Sequence, residues 1–181
     1  QPPGADVARE AGFDLAAIRR APATPATLQL ALYHSWRLRD RLIVRDGLPA
    51  IDFLAGAPAS PQGGAPQHRI ELQAALYRGG FGARLSGIWQ SGSRARVQGR
   101  ALSYRSLARF DLRLFADLGE RRGLVARAPW LRGTRISLEV DNLLGARPRV
   151  RDETRRTPPG LQPAFLDPAG RTVRFTLRKL F

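Results

Sequence analysis

Six stretches of this chain alternate apolar and polar residues, the period that places successive side chains on opposite faces of a β-strand. The pattern is clearest in residues 170–181, where Val173, Phe175 and Leu177 alternate with threonine and arginine and the chain closes on Phe181. The other five stretches are residues 27–39, 68–77, 81–90, 107–118 and 134–142. The sequence therefore predicts an all-β protein with about six long strands.

The connections between these strands alternate in length. Residues 78–80 read as a tight hairpin turn, because Gly79 and Gly80 tolerate the positive φ that such turns need. Residues 119–132 are of moderate length. The remaining connections are long and are predicted as loops: residues 46–67, 91–106 and 143–169. In an antiparallel up-and-down meander all long connections fall at one end, as in outer-membrane barrels, whereas a soluble sandwich has no reason to segregate them.

The two faces of the predicted strands suit two architectures. A sandwich would bury the apolar face in its core, and a transmembrane barrel would place it in lipid with the charged face toward water. Trp36, Trp89 and Phe181 lie near the ends of apolar faces, where a membrane-surface girdle or an ordinary core could use them. Residues 1–26 are predicted as a connector, in which residues 5–20 could form a short helix.

The charge of the chain is strongly positive. Its formal net charge is +15, and Lys179 is the only lysine, so arginine carries nearly all of it. Such a balance is typical of proteins that bind nucleic acid or an anionic surface, although a coding bias toward Ala, Arg, Gly and Pro would also produce it. The arginines are spread over strands and loops and do not cluster with stacking aromatics, so we do not expect nucleic acid as a partner.

The residues that usually carry catalysis or metal binding are scarce. Without cysteine the chain has no disulfide, no thiolate nucleophile and no cysteine metal site. His34 and His68 are the only histidines and lie at no metal-ligand spacing, and Gly79 to Gly82 lack the spacing of a phosphate-binding loop. We expect no enzyme activity, no cofactor and no metal. The chain contains no methionine and no signal-peptide pattern, so we expect it to be processed or part of a longer protein.

Residues 135–145 read R-I-S-L-E-V-D-N-L-L-G, and Asn142-Leu143-Leu144 follow the alternating run directly. With the closing strand, these last fifty residues resemble the C-terminal end of a TonB-dependent outer-membrane receptor. Residues 135–145 are similar to the penultimate strand of that family, and Asn142-Leu143-Leu144 is similar to its N-L-F exit. The closing strand ends on an aromatic residue, as in the family. Residues 32–36 and 47–54 also look like receptors of this kind from α-proteobacteria.

This resemblance implies a fold, a location and a function. Residues 27–181 would be the C-terminal strands of a 22-stranded transmembrane barrel in the cell outer membrane, which imports a scarce nutrient such as a ferric siderophore. The implied partners are outer-membrane lipid and lipopolysaccharide, the barrel assembly machinery, the plug and N-terminal strands of the same receptor, and TonB. The chain departs from the family because it shows no plug and no TonB-contacting segment. The alternative is a soluble basic β-protein that binds nucleic acid or another polyanion; a β-sandwich enzyme or carbohydrate-binding module is a third hypothesis.

Two sets of site residues follow from these considerations. The family's outer-membrane assembly signal is its final aromatic residue with the alternate apolar residues before it, which implies this role for Val173, Phe175, Leu177 and Phe181. Lys179 departs from the pattern, since an apolar residue is usual there. Arginines of the long connections suit anionic ligands or lipopolysaccharide phosphates, and we expect Arg149, Arg151, Arg155 and Arg156 to make such external contacts.

Overall fold

The computed structural model describes residues 10–15, 26–44, 50–57, 64–97 and 99–180, the first of these segments by its backbone alone. Its strands in chain order are β1 (Glu10–Leu15), β2 (Ala26–Trp36), β3 (Arg41–Leu42), β4 (Ile51–Asp52), β5 (His68–Arg78), β6 (Phe81–Gln90), β7 (Ser93–Val97), β8 (Arg100–Tyr104), β9 (Leu107–Asp117), β10 (Thr134–Asp141), β11 (Val150–Arg151) and β12 (Thr172–Lys179). Two short helices, α1 (Arg122–Arg127) and α2 (Pro163–Leu166), interrupt connections. The protein is mainly antiparallel β-sheet, which confirms the all-β prediction. Across the described segments no helix has the length and apolar character needed to cross a membrane.

Seven strands form one sheet in the order β1-β2-β5-β6-β9-β10-β12, and every neighbouring pair is antiparallel. Within this sheet each strand lies beside the next one along the chain, so the up-and-down meander is confirmed. The six predicted strands are all present. The boundaries of β6, Phe81–Gln90, agree with the prediction because the Gly79-Gly80 turn, with φ of 52° and 80°, fixes where the hairpin begins.

The first strand differs from the prediction. Residues 10–15 do not belong to a helix; they form β1, which pairs with β2 from Glu10 opposite Ser35 to Leu15 opposite Leu30. Gly12 weakens a helix at this point, and the edge of β2 offers unpaired backbone groups that a strand can satisfy. The other residues of the predicted connector up to residue 25 lie outside the described part of the chain.

The register of the sheet brings the apolar residues of all strands onto one side, which we call the apolar face. One row across six strands consists of Leu28, Leu76, Ala83, Leu114, Leu138 and Phe175, each directly opposite the next. Phe110 lies over Gly87 on this face, where a Cβ would come within 2.5 Å of the ring. A one-residue slip would move the whole apolar set to the other side, so the alternation excludes such slips.

Little of the apolar face is covered. Among the described residues, the buried apolar ones are Ala65, Ala75, Ala95, Leu102 and Val150, and none of them belongs to the apolar face. On β12, Val173, Phe175 and Leu177 remain 65%, 65% and 62% exposed. The sheet therefore has no second layer packed on this side in the described part of the chain.

The predicted loops contain more structure than the sequence indicated. Residues 91–106 form the β7–β8 hairpin, and β11 from the last long connection adds a third strand to it. Polar, arginine-rich composition concealed this hairpin, whose inward residues Ala95 and Leu102 are buried and directly paired. The connection 46–67 contributes β4, which pairs with β3.

The two ends of the large sheet differ, as the connection lengths predicted. The β5–β6 turn and the β9–β10 connection, which contains α1, lie at one end, which we call the turn end. The β2–β5, β6–β9 and β10–β12 connections lie at the other, which we call the loop end. The loop end carries the smaller three-stranded sheet and the β3–β4 pair.

Candidate ligand-binding end and polar face

The three long connections contact one another and form a single assembly at the loop end. The Arg105 N–H donates to the Arg149 carbonyl at 3.0 Å, beside the β8–β11 pairing that joins the last two connections. The first connection joins them through the Arg96 N–H, which donates to the Gly56 carbonyl at 2.7 Å. Val150 is fully buried at the centre. This arrangement gives the loop end a defined surface.

Asn142 fixes the base of the last connection. Its side chain is buried and makes three hydrogen bonds: Nδ2 donates to the carbonyls of Ala146 at 2.8 Å and Gly170 at 3.3 Å, and Oδ1 accepts from the Ala146 N–H at 2.8 Å. Its backbone N–H donates to Asp111 Oδ1 at 2.7 Å, and its φ of 52° is one that asparagine tolerates. Asn142 thus ties the exit of β10 to the entry of β12. The Asn-Leu-Leu motif marked this position, but the sequence alone did not indicate its partners.

Of the four predicted contact arginines, Arg149 directly precedes β11, Arg151 ends it, and Arg155 and Arg156 lie in the turn that follows. Arg149, Arg151, Arg155 and Arg156 are all exposed. Asp152 organises the turn: its Oδ1 accepts from the Thr154 hydroxyl at 2.7 Å and from the Arg156 N–H at 2.9 Å. The Thr154 hydrogen bond, followed by that of the Arg156 backbone, lowers the pKa of Asp152 below its ordinary value of 3.8. The carboxylate is therefore charged at neutral pH and holds the turn that presents these arginines.

A cleft of about 740 Å³ opens between the connections, and other arginines line it. Arg39, Arg41 and Arg94 reach its wall together with Asp52 and Tyr104. The Arg41 Nε contacts Asp52 Oδ2 at 2.7 Å, and this hydrogen bond lowers the pKa of Asp52, while burial raises the pKa of Tyr104. Within the described chain, Arg39 and Arg94 have no carboxylate partner. The cleft suits an anionic, oxygen-rich ligand.

The four arginines predicted from the last connection are not among the residues that line this cleft. Sequence reasoning placed Arg39 on the polar face of a strand and Arg94 in a loop. It had no means of bringing them together, because their proximity depends on the close approach of the first two connections. At Gly64, an added Cβ would lie 1.9 Å from the Arg94 carbonyl oxygen, which shows how closely the two backbones pack.

The side of the large sheet opposite the apolar face, which we call the polar face, carries ion pairs across its strands. Glu139 Oε2 accepts from Arg113 at 3.0 Å and from Arg174 at 3.2 Å, so one carboxylate joins β9, β10 and β12. Arg135 contacts Asp117 at 3.2 Å. Side chains of both charge signs on this face are therefore in direct contact across the strands.

Aromatic residues cover part of the polar face near the turn end. The Phe115 ring lies over Gly82, where an added Cβ would be 2.1 Å from Cζ, and it packs against Tyr77 with ring centroids 5.8 Å apart. The Arg135 guanidinium lies 5.4 Å from the Phe115 centroid. An aromatic ring over a strand glycine shields the backbone where the glycine offers no side chain.

Three of the four residues of the predicted assembly signal lie on β12, an edge strand of the large sheet. Val173, Phe175 and Leu177 share the apolar face of β12, while Phe181 lies outside the described residues. Lys179, the departure from the pattern, stands opposite Thr134, and its Nζ donates to the carbonyls of Trp130 and Arg132. The lysine thus satisfies backbone carbonyls at the turn end, a contact that an apolar residue at this position could not make.

The two histidines meet on the apolar face at the loop end. His34 Nε2 lies 3.2 Å from His68 Nδ1, and Trp36 stacks on the His68 ring with centroids 5.7 Å apart. Among the residues that the structure describes, no group of three or more metal-ligating side chains is present.

Comparison with known proteins gave no relatives from which a function could be transferred. A scan with protein-family models found no match, and searches of curated proteins and of solved structures also found none.

Proposed function

We propose that this chain is the C-terminal portion of a TonB-dependent outer-membrane receptor that takes up a scarce nutrient such as a ferric siderophore. The observation that carries the proposal is the uncovered apolar face, which continues in register across the sheet. Monomeric soluble proteins rarely expose contiguous apolar patches beyond a few hundred Å², and larger ones mark membrane or protein contacts. Bilayer hydrocarbon would cover the entire face.

The opposite side of the sheet supports the same proposal. A barrel of this class has a wet interior wall, and ion pairs such as Arg113–Glu139–Arg174 suit a surface that faces water or a plug. The strands β2, β5, β6 and β9 have 10 or 11 residues each, which is the length that a tilted strand needs to cross a bilayer.

The edges of the sheet support membership of a larger barrel. The described sheet has seven strands, whereas the smallest transmembrane barrels have about eight, and an open edge in hydrocarbon leaves backbone groups without partners. On β12 the residues from Thr172 to Arg178 are exposed on both faces. Further strands of the same receptor, pairing with β1 and β12, would close the barrel, and the assembly machinery would recognise β12.

The ends of the sheet suit the two sides of an outer membrane. The loop end, with its arginine-lined cleft, would face outward and contact anionic ligands or lipopolysaccharide phosphates, and the turn end would face the periplasm. A soluble polyanion-binding protein is less well supported, because Arg113, Arg135 and Arg174 on the polar face are engaged with carboxylates.

Single cysteines test the proposal sharply, because the natural chain contains none. Phe175→Cys and Leu177→Cys would carry an environment-sensitive fluorophore on the apolar face of β12, and Arg174→Cys and Thr176→Cys are matched controls on the same strand. After reconstitution into lipid vesicles, we expect blue-shifted emission and quenching by lipid-borne spin labels only at the first pair. Equal quenching at all four positions, or a chain that stays monomeric and folded in buffer without detergent, contradicts the proposal.

A further inference from the structure

At the turn end, an apolar groove on the apolar face opens directly into a basic cavity. The groove has a volume of about 370 Å³, and Ala83 and Ala116 form its low floor between the larger side chains of neighbouring strands. The residues that line it include Leu76, Phe81, Leu114, Ile136 and Leu138. Because Ala116 lies directly opposite both Phe81 and Ile136, the groove crosses from β6 through β9 to β10.

The basic cavity adjoins this groove at two residues that line both, Arg78 and Phe81. Its volume is about 1240 Å³, and its walls carry Arg78, Arg121, Arg122 and Arg127 against a single carboxylate, Glu120. Glu120 lies over the hairpin turn, since an added Cβ at Gly80 would be 3.3 Å from its Oε2. The cavity therefore has an excess of positive charge.

Arg121 holds the boundary between the two spaces in place. Its Nε donates to the Gly79 carbonyl at 3.1 Å, and its guanidinium lies 4.2 Å from the centroid of Phe81. In contrast, the side chains of Arg78 and Arg122 form no hydrogen bond or ion pair with any described residue. Two exposed guanidinium groups are thus available in the basic cavity, and that of Arg78 belongs to a residue that also lines the apolar groove.

From this juxtaposition we infer that the turn end binds an anionic phospholipid, with an acyl chain in the groove and the phosphate at Arg78 and Arg122. The inference rests on the proposed function, because it requires the apolar face to lie in a bilayer. It differs from the expected lipopolysaccharide contacts, which lie at the opposite end of the sheet. Charge complementarity favours an anionic lipid over a zwitterionic one. The headgroup of a zwitterionic lipid carries a cation, which the four arginines of the cavity would repel, whereas an anionic headgroup carries no such cation.

The experiment uses native mass spectrometry of the full chain in detergent micelles that contain phosphatidylglycerol and phosphatidylcholine with identical acyl chains. We expect preferential retention of phosphatidylglycerol. Arg78→Gln with Arg122→Gln should lower this preference roughly tenfold at low salt, since each arginine near an anionic surface contributes to lipid affinity. Arg96→Gln with Arg100→Gln removes the same charge from the exposed β7–β8 hairpin and is the matched control, which should leave the preference unchanged.

Two further measurements separate the contribution of the apolar groove to lipid binding from that of the arginine charges. Ala116→Leu fills the floor of the groove and should reduce retention of phosphatidylglycerol, whereas millimolar glycerol phosphate should not displace the lipid. Equal effects of the two arginine pairs, or displacement by glycerol phosphate, would overturn the inference. A chain that folds in micelles with no preference refutes the lipid site alone, while a chain that remains folded in plain buffer refutes the proposed function as well.

Discussion

Replacing Asn142 with alanine should release the base of the last long connection. The substitution removes two side-chain hydrogen bonds of 2.8 Å to Ala146 and one of 3.3 Å to Gly170, in a site where Asn142 itself is fully buried. Each lost bond that leaves a partner unsatisfied costs about 1 kcal/mol, and an alanine held at a φ of 52° adds about 1 kcal/mol. The expected local destabilisation is therefore about 3–4 kcal/mol.

Hydrogen exchange measures this loss at the Arg105 amide, which donates to the Arg149 carbonyl and reports whether β11 remains docked. A local loss of about 3 kcal/mol corresponds to exchange faster by roughly 100-fold in micelle-bound protein. Asn142→Gly should recover about 1 kcal/mol, because glycine adopts positive φ freely but restores no hydrogen bond. Leu144→Ala, at a side chain that is 59% exposed in the same connection, is the control. Acceleration below about fivefold in Asn142→Ala would show that the clamp does not hold the loop end together.

Three further predictions concern the two faces and the loop end. Leu138→Arg should destabilise the vesicle-bound sheet by about 2–4 kcal/mol in urea unfolding, whereas Ser137→Arg on the polar face should change it little; equal losses would contradict a lipid-facing Leu138. Glu139→Gln should cost at most about 1 kcal/mol, and less at high salt, because both of its arginine partners are at least half exposed; a salt-independent loss would refute this. The pKa of Asp152 is lower in the folded state, so the ionised carboxylate stabilises the turn above pH 3.8, and this stabilisation is lost as the pH falls through the lower folded-state pKa. A titration midpoint of this carboxyl at or above pH 3.8 in an NMR experiment would contradict the prediction.

Most of the large sheet could be predicted because its determinants are local. The alternation in residues 81–90 requires no knowledge of a partner strand, and Gly79-Gly80 sets the neighbouring hairpin. The same pattern limits the register, since a one-residue slip would put Leu138 on the other side from Leu114 and Phe175, although a slip of two residues would keep the faces. The same alternation would occur in any antiparallel meander. It therefore predicts the strands and their faces, but it does not show what covers the apolar face.

The loop end could not be predicted because its determinants are distant in sequence. Only two residues of the β7–β8 hairpin, Ala95 and Leu102, are buried and apolar, and two such residues among many arginines give no recognisable strand pattern. Val150, which is buried with them, comes from a connection about fifty residues further along the chain. The cleft between Arg39 and Arg94 has the same origin. A polar segment with two or three apolar residues is predicted as a loop unless the strand that it pairs with is known. The strand β1 was missed for a related reason, because the backbone of an edge strand is held by hydrogen bonds to its neighbouring strand.

The arginines that give this chain its formal net charge of +15 differ in how far carboxylates compensate them. On the polar face, Arg113 and Arg135 contact carboxylates, so the charge there is largely compensated. Arg84 and Arg178, also on the polar face, have no carboxylate partner in the described chain. Other arginines without such a partner lie at the ends of the sheet, such as Arg39 at the loop end and Arg78 at the turn end. If the apolar face spans a bilayer, its two layers of anionic headgroups would lie at these same two levels. Excess charge at both ends of the sheet, with ion pairs between them, fits the proposed position in a membrane, whereas a polyanion-binding surface would concentrate uncompensated arginines on one face.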